Sequence, residues 1–200
     1  MRGVPENTLA SFELCLQHGC DGFEFDVRRP ADEQAVICHD ATFNGLEIAA
    51  TPSKNLLLPT LEDVLCRFAG RAFLDIELKV AGLEEQTLAA LRSHLPQKGY
   101  VVSSFLPDVL RTLHDLDSKV ALGFLCESAD QLRDWRQARA EWLIAQFELA
   151  DRALVEQVHV AEKRIMVWTV NRADRMREFA ELGVDAIISD ETELLVRSLR

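Results

Sequence analysis

The feature that most constrains the fold of this chain is a regular alternation of strand-like and helix-like segments along its length. The strand-like segments are apolar or alternating runs at residues 22–27, 71–78, 100–105, 120–125, 141–147, 164–170 and 185–190. The helix-like segments are amphipathic and lie at residues 7–18, 60–69, 83–95, 107–116, 128–139, 149–161, 172–182 and 191–199. Short connections between such units favour parallel strands with helices outside them, in an α/β barrel or an open doubly wound sheet.

The number of segments favours the barrel over the open sheet. Eight helical segments accompany seven principal strands, and the pattern begins on a helix. A TIM (β/α)8-type barrel that lacks its first strand has this order, so we predict that fold, as one domain over residues 1–200. A further short run at residues 35–40 is predicted to be a hairpin arm or a short appended strand, and residues 41–59 are predicted to be a loop over one end of the barrel.

Composition and charge narrow the classes of partner and location. A chain of 200 residues that is 48% hydrophobic can bury one large core. Its formal charge of −11 argues against a nucleic-acid partner, because phosphate contacts need a clustered basic face. The sequence shows no signal peptide and no apolar run that could cross a bilayer, so we predict a cytoplasmic protein. Its five cysteines form an odd set without metal-type spacing, which predicts buried, reduced thiols.

Acidic side chains occupy two predicted strands at the ends where a barrel enzyme builds its active site. Alternation places Glu24 and Asp26 on one face of the first strand. It places Asp75, Glu77 and Lys79 together on the next. Strands of a parallel sheet are covered on both faces, so such carboxylates need compensation, and a divalent cation provides it. The alternative is that these are the solvated faces of ordinary amphipathic strands.

Other polar residues at the predicted strand ends are candidates of lower specificity. His39, followed by Asp40, should lie beside the acidic cluster, where a carboxylate or phosphate would tune it for acid–base work. The other four histidines are predicted to be surface residues. Trp168 either packs in the core or rim, or stacks on a ligand. Ser103 and Ser104 lack the G-x-S-x-G context of an activated serine, so we do not assign them as nucleophiles.

Several motifs occur in an order that resembles one enzyme family. They are Arg2-Gly3, Pro5-Glu6-Asn7-Thr8, Glu24-Phe25-Asp26, His39-Asp40, Glu77-Leu78-Lys79 and Trp168-Thr169-Val170-Asn171. This order is similar to that of the glycerophosphodiester phosphodiesterase family, and the match extends over essentially the whole chain. The resemblance implies a TIM barrel that uses a divalent metal, Ca²⁺ or Mg²⁺, to hydrolyse glycerophosphodiesters to glycerol 3-phosphate and an alcohol.

The resemblance also implies a role for individual residues. Glu24, Asp26 and Glu77 would hold the metal. Arg2 and Lys79 would bind the phosphate, and Trp168 would help to wall the glycerol pocket. The resemblance further implies catalytic roles for His39 as an acid–base group, for Arg2 in stabilising the transition state, and for the metal ligand Glu24.

Two departures from the family pattern bear on activity. The family has a histidine directly before the Arg-Gly pair and a barrel strand that leads into it. Here Met1 occupies that place with no strand-like run before it. Because a thioether transfers no proton at neutral pH, we expect impaired activity. A catalytically inactive barrel that binds phosphorylated ligands is the alternative, and a phosphatase of the same barrel class is a third.

The unfilled strand position is also expected to affect assembly. An open barrel exposes two strand edges, which predicts a homo-oligomer, a swapped strand or a local rearrangement.

Overall fold

Ten short strands carry the architecture of the protein. The computed structural model describes residues 3–200. Its strands are β1 (Gly22–Arg28), β2 (Val36–Ile37), β3 (Thr42–Phe43), β4 (Leu46–Glu47), β5 (Phe73–Leu78), β6 (Tyr100–Ser104), β7 (Leu122–Cys126), β8 (Trp142–Gln146), β9 (Arg164–Trp168) and β10 (Ala186–Ile187). Eight of them form one sheet in the order β10-β9-β8-β7-β6-β5-β1-β2, while β3 and β4 pair separately as a small hairpin.

Helices connect these strands in the order that the sequence predicts. They are α1 (Leu9–His18), α2 (Ser53–Leu56), α3 (Leu61–Phe68), α4 (Glu84–Ser93), α5 (Pro107–Leu116), α6 (Ala129–Leu132), α7 (Arg152–Val160), α8 (Ala173–Leu182) and α9 (Thr192–Leu199). Thr8 and Thr60 each begin a helix through a capping box, in which the side chain accepts the backbone N–H three residues later. None of the helices in the described range is long and apolar enough to span a membrane.

The large sheet is curled into a half-barrel. Within this sheet, β1 and the six strands from β5 to β10 pair in parallel with their neighbours, and only β2 runs antiparallel, beside β1. Among residues 3–200, no strand lies between β1 and β10, but α1 and α9 contact each other across this opening. The predicted α/β barrel with one unfilled strand position is therefore confirmed for the described part of the chain.

The open edge of β1 is partly covered by groups from elsewhere. The side-chain oxygen of Asn7 accepts the N–H of Asp26 at 3.0 Å. The Cys38 N–H donates to the Asp26 carbonyl at 2.9 Å, and the Cys15 thiol donates to the Gly22 carbonyl at 3.3 Å. These contacts satisfy backbone groups that a neighbouring strand would otherwise pair.

Side-chain alternation separates an outer and an inner core. On the outer face of β1, Phe23 stacks on Phe12 of α1 at a centroid distance of 4.3 Å, and Phe68 of α3 meets Phe23 edge-on at 5.1 Å. The inner face holds a separate apolar cluster from β6 to β9, made of Val101, Leu125, Trp142, Ile144 and Met166. The acidic residues of β1 and β5 interrupt this otherwise apolar lining.

Several element predictions need correction. The segment 128–139 is helical only over Ala129–Leu132, and residues 133–139 form turns. Residues 41–59 are not a plain loop, since they contain the β3–β4 hairpin, a 3-10 turn and α2. The hairpin arm at 35–40 is present as β2. The cysteines are unpaired, but Cys66 is exposed and Cys20 is partly exposed, so the expectation that all five are buried is wrong.

The aromatic contact between α1, β1 and α3 predicts a large stability effect. Phe68 is fully buried against Phe12 and Phe23, so Phe68→Ala should leave a cavity and lower the free energy of unfolding by about 3–5 kcal/mol. Urea unfolding followed by circular dichroism measures the change. Leu57→Ala, at a side chain that is 88% exposed, is the control and should shift stability by less than about 0.5 kcal/mol. Equal losses in both variants would contradict this account of the core.

Candidate functional site

Four carboxylates meet because β1 and β5 are adjacent and in register. Glu24 lies beside Asp75, and Asp26 lies beside Glu77 in the parallel pairing. Period-two alternation directs all four side chains to the inner face, near the carboxyl ends of the strands. Carboxylate oxygens of Glu24, Asp26 and Glu77 lie within 4.8 Å of one another.

Lys79 is the cation that directly contacts this cluster among the described residues. Its Nζ lies 3.0 Å from Asp26 Oδ1 and 2.7 Å from Glu77 Oε1. The backbone holds the lysine in place, because the Lys79 N–H continues the β1–β5 ladder by donating to the Val27 carbonyl at 3.1 Å. One ammonium therefore faces three clustered carboxylates, which leaves an excess of negative charge when all of them are ionised.

Asn7 holds the Asp26 carboxylate in place. Its side-chain amide donates to Asp26 Oδ2 at 2.7 Å and accepts the Asp26 backbone N–H at 3.0 Å. Asn7 directly precedes Thr8, the residue that caps α1. The amino end of α1 is thus attached to the middle of the acidic site.

Burial shifts the protonation equilibria of the cluster. Removal from water raises the pKa of Glu24 well above its ordinary value, and the charges of Asp26 and Asp75 raise it further. Burial also raises the pKa of Glu77, against the opposing hydrogen bond from Lys79. For Lys79, burial acts to lower the pKa, but the hydrogen bond and charge of Glu77 and the charge of Asp26 outweigh it, so the pKa is raised. Ionising all three carboxylates is therefore costly in this site unless positive charge or protons offset it.

Asp75 lies two residues before Glu77 on β5 and is paired with Glu24 on β1. Its Oδ1 accepts the Ser103 hydroxyl hydrogen at 2.5 Å, whereas its buried Oδ2 has no partner among the described residues. Burial raises the pKa of Asp75 to about 7, although the Ser103 hydrogen bond opposes the shift. Ser103 thus supports a carboxyl group, which agrees with leaving it unassigned as a nucleophile.

The donor set fits a hard divalent cation. The three clustered residues offer oxygen ligands only, which is what Ca²⁺ and Mg²⁺ prefer. Glu24 Oε1 is buried without a hydrogen-bond partner among the described residues, and such an atom is costly unless something positive binds it.

His39 faces the same cavity from the loop after β2. Its Nδ1 lies 3.0 Å from Asp40 Oδ1, and its carbonyl accepts the Arg28 Nε hydrogen at 2.8 Å. The side chain is 55% exposed, so the imidazole has access to solvent and to a ligand. His39 and Glu77 line the same cavity.

Two aromatic residues, Trp168 and Phe105, line the same cavity as the carboxylates. Trp168, the last residue of β9, donates its indole N–H to the Ile144 carbonyl at 3.3 Å. Its ring meets Phe105 edge-on at 5.8 Å, and Lys79 Nζ lies 5.9 Å from the Phe105 ring centre. Phe105 was not predicted as a site residue from the sequence. Its position directly after β6 is the signal that could have identified it, because active-site residues follow strand ends in such folds.

One cavity of about 1290 Å³ joins these groups. It brings together the predicted site residues Glu24, Asp26, Glu77, Lys79, His39 and Trp168. Arg2 and Met1 lie outside the described residues, so their predicted places are known from sequence alone. The catalytic, binding and metal roles of all these residues stay predictions at this point.

Known sequences resemble this chain over nearly its full length. A glycerophosphodiester phosphodiesterase of Caldanaerobacter subterraneus is 26% identical, with 100% of this chain and 94% of the relative covered. A putative glycerophosphodiester phosphodiesterase of Bacillus subtilis is 25% identical, with 97% of this chain and 92% of the relative covered.

Solved structures give the same result. A phosphodiesterase of Oleispira antarctica, in complex with the product sn-glycerol-3-phosphate, superposes with a TM-score of 0.85 at 26% identity. The match covers 98% of this chain and 91% of the other. A glycerophosphodiester phosphodiesterase of Thermotoga maritima superposes with a TM-score of 0.82 at 26% identity, and covers 98% and 93% of the two chains.

The family model is the most direct of these comparisons. The glycerophosphoryl diester phosphodiesterase model matches residues 2–58 and 43–194, which include both acidic strands, the His39 loop and β9. The family model, the similar sequences and the superposed structures all indicate the same family. The chain therefore belongs to the glycerophosphoryl diester phosphodiesterase family.

Proposed function

We propose that this protein hydrolyses glycerophosphodiesters to glycerol 3-phosphate and an alcohol in a metal-dependent reaction. The observation that carries the proposal is the convergence of Glu24, Asp26 and Glu77 with Lys79 in one cavity. The relative whose structure contains sn-glycerol-3-phosphate supports the same product class.

Glu24, Asp26 and Glu77 would hold Ca²⁺ or Mg²⁺ through their oxygens. When bound, the ion supplies Lewis acidity and orients the phosphate. The chain prepares this site by placing Glu24 Oε1 in the interior, where no group of residues 3–200 hydrogen-bonds to it. Asn7 contributes by fixing the orientation of the Asp26 carboxylate from the edge of β1.

Lys79 and Arg2 would bind the phosphate oxygens and neutralise the charge that develops on them. The support for Lys79 is its raised pKa, which keeps the ammonium charged, and its position at the mouth of the cluster. The role of Arg2 rests on the sequence motif alone. Trp168, together with Phe105, would wall the glycerol portion of the substrate.

His39 would act as the acid–base group. The Asp40 carboxylate can accept a hydrogen from Nδ1, which leaves Nε2 to exchange a proton with the leaving alkoxide or the attacking oxygen. Met1 stands where the family has another histidine, so we propose that the present sequence has a reduced turnover rate. The catalytic assignments of His39, Arg2 and Glu24 form one proposal with the metal site.

Four broader assignments also belong to this proposal. The family match over nearly the whole chain supports one domain over residues 1–200. The five unpaired cysteines agree with a cytoplasmic location. The proposed substrates and the product glycerol 3-phosphate would give the protein a role in lipid and glycerol metabolism. The open edges of β1 and β10 in the described chain agree with a homo-oligomer, which sedimentation would detect.

A test of the proposed metal site uses glycerophosphocholine as substrate. Glycerol 3-phosphate release should require Ca²⁺ or Mg²⁺ and stop with EDTA. Glu77→Gln should lower turnover by more than about 10²-fold and abolish the rise in melting temperature that the metal alone causes. Glu85→Gln, on the exposed face of α4, is the matched control and should change neither quantity.

The possible results separate the two candidate functions. Metal-dependent turnover that Glu77→Gln removes supports the enzyme. Binding of metal and glycerol 3-phosphate without any turnover favours the inactive, ligand-binding barrel. If Glu77→Gln leaves metal binding unchanged, the metal site is wrongly assigned.

The role of His39 has its own test. His39→Asn should lower turnover by about 10²–10⁴-fold, because a general acid–base group is lost, while metal-induced thermal stabilisation is retained. His114→Asn on α5, which lies outside the cavity, should leave turnover unchanged. Steady-state kinetics measures both variants, and equal turnover in wild type and His39→Asn would overturn the acid–base assignment.

Asp75 predicts a pH dependence of stability in metal-free buffer. Its folded-state pKa of about 7 lies above its ordinary value of 3.8, so the folded chain binds this proton more tightly than the unfolded chain does. The Asp75 contribution to stability therefore falls as pH rises from about 4 through about 7.

Asp75→Asn cannot ionise and retains an oxygen to accept the Ser103 hydrogen bond. At pH 8 it should be more stable than wild type by about 1–4 kcal/mol, with a smaller difference at pH 5. Urea unfolding at both pH values in EDTA measures this, with the exposed Asp134→Asn as control. A difference that does not change with pH would contradict the prediction.

A further inference from the structure

Two cysteines lie close together at the carboxyl end of α1. The helix ends at Gly19, whose φ of 93° lets the chain turn back on itself. The Cys20 N–H then donates to the Cys15 carbonyl at 3.3 Å across this turn. The backbone geometry thus places two thiol-bearing residues, five positions apart in sequence, side by side.

The helix end brings the two side chains to the same side of the turn, and they differ in exposure. The Cys20 N–H bonds to the Cys15 carbonyl and the Gly19 N–H bonds to the Leu16 carbonyl, which is the Schellman arrangement, in which side chains at the positions of Cys15 and Cys20 commonly pack against each other. Cys15 is only 4% exposed and also donates to the Gly22 carbonyl, whereas Cys20 is partly exposed and its Sγ lies 3.9 Å from the Thr192 carbonyl oxygen. Both residues line the lower part of the large cavity. A small reagent can therefore reach Cys20 before it reaches Cys15.

The electrostatic surroundings give the two sulfurs different reactivity. The neighbouring Cys15 thiol lowers the pKa of Cys20, and the charge of Arg200 lowers it further, against burial and the charge of Asp21. Arg200 is held nearby, since its Nη2 donates to the Gly19 carbonyl at 3.0 Å. The neighbouring Cys20 thiol and burial both raise the pKa of Cys15. Cys20 therefore loses its proton more readily and is the more reactive thiol, whereas Cys15 stays protonated.

We propose that Cys15 and Cys20 are a modification site at which a low-molecular-weight disulfide converts the two thiols into a reversible intramolecular disulfide. The proposal is independent of the phosphodiesterase chemistry, because it involves neither the carboxylate cluster nor His39.

The exchange balances in two steps. The Cys20 thiolate attacks one sulfur of the small disulfide, forms a mixed disulfide and releases one small thiolate. Cys15 loses its proton to solvent or to that thiolate, attacks Cys20 Sγ and expels the second small thiolate. The protein loses two electrons and two protons, and the small disulfide is reduced to two thiols.

The remaining cysteines do not offer an equivalent site. Cys38 and Cys126 are buried, and Cys66 is exposed on α3. Within residues 3–200, no other two cysteines are joined by a backbone hydrogen bond across a turn. Cys66 therefore serves as an internal reference for simple surface oxidation.

A disulfide between Cys15 and Cys20 would alter the contacts between α1 and α9. Cys20 contacts Thr192 at the start of α9, and His18 Nδ1 lies 2.8 Å from the hydroxyl of the same residue. Drawing Cys20 towards Cys15 would change the first of these contacts at the point where the two helices span the open side of the half-barrel.

Disulfide mapping in glutathione buffers tests the proposal on the whole chain. The protein is equilibrated across ratios of reduced to oxidised glutathione, quenched in acid, alkylated with N-ethylmaleimide and digested with trypsin. Residues 3–28 form one tryptic peptide that holds Cys15 and Cys20 and no other cysteine. We expect this peptide to lose two hydrogens and to take no alkyl group as the buffer becomes oxidising. Reduction with dithiothreitol should restore both alkylation sites.

Variants separate the roles of the two sulfurs. Cys15→Ser should trap glutathione on Cys20, whereas Cys20→Ser should abolish the internal bond, and Cys66→Ser should behave as wild type. The wild-type mapping stands even if a variant folds poorly. Two freely alkylated cysteines at every ratio, or stable glutathione on Cys20 of the wild type, would overturn the proposal.

Discussion

The parallel pairing of β1 with β5 is the constraint on which the rest of the site depends. It places Glu24 beside Asp75 and Asp26 beside Glu77 in a single interior. Like charges at such separations in a low dielectric repel strongly, and desolvation adds to the cost. Lys79 offsets part of this charge, and the buried oxygens of Glu24 and Asp75 that have no partner in the described part of the chain make the site suited to a divalent ion.

The surrounding fold supports this arrangement from two sides. On the outside, the rings of Phe12, Phe23 and Phe68 pack α1 and α3 against β1. On the inside, Asn7 attaches the start of α1 to Asp26. Helix α1 therefore connects the acidic site at its amino end with the Cys15–Cys20 pair at its carboxyl end. A single element carries both the structural support of the proposed metal site and the proposed redox site.

Much of this could be predicted from the sequence because alternation is a local property. Each strand of the large sheet falls within a predicted segment or its immediate flank, and the inward direction of Glu24, Asp26 and Glu77 follows from period two. The prediction failed where local pattern was weak. Residues 133–139 are amphipathic but do not continue α6, and the short hairpin of β3 and β4 has too few residues to show a period.

The sequence by itself determined the βα order, the acidic faces of β1 and β5 and the family motifs. Only the tertiary structure decided which groups meet: Lys79 between Asp26 and Glu77, Asn7 on Asp26, and Phe105 against Trp168. The physical reason is that alternation and helical period fix the direction of a side chain within its own element. Distances and burial, and hence pKa values, depend on which elements pack together.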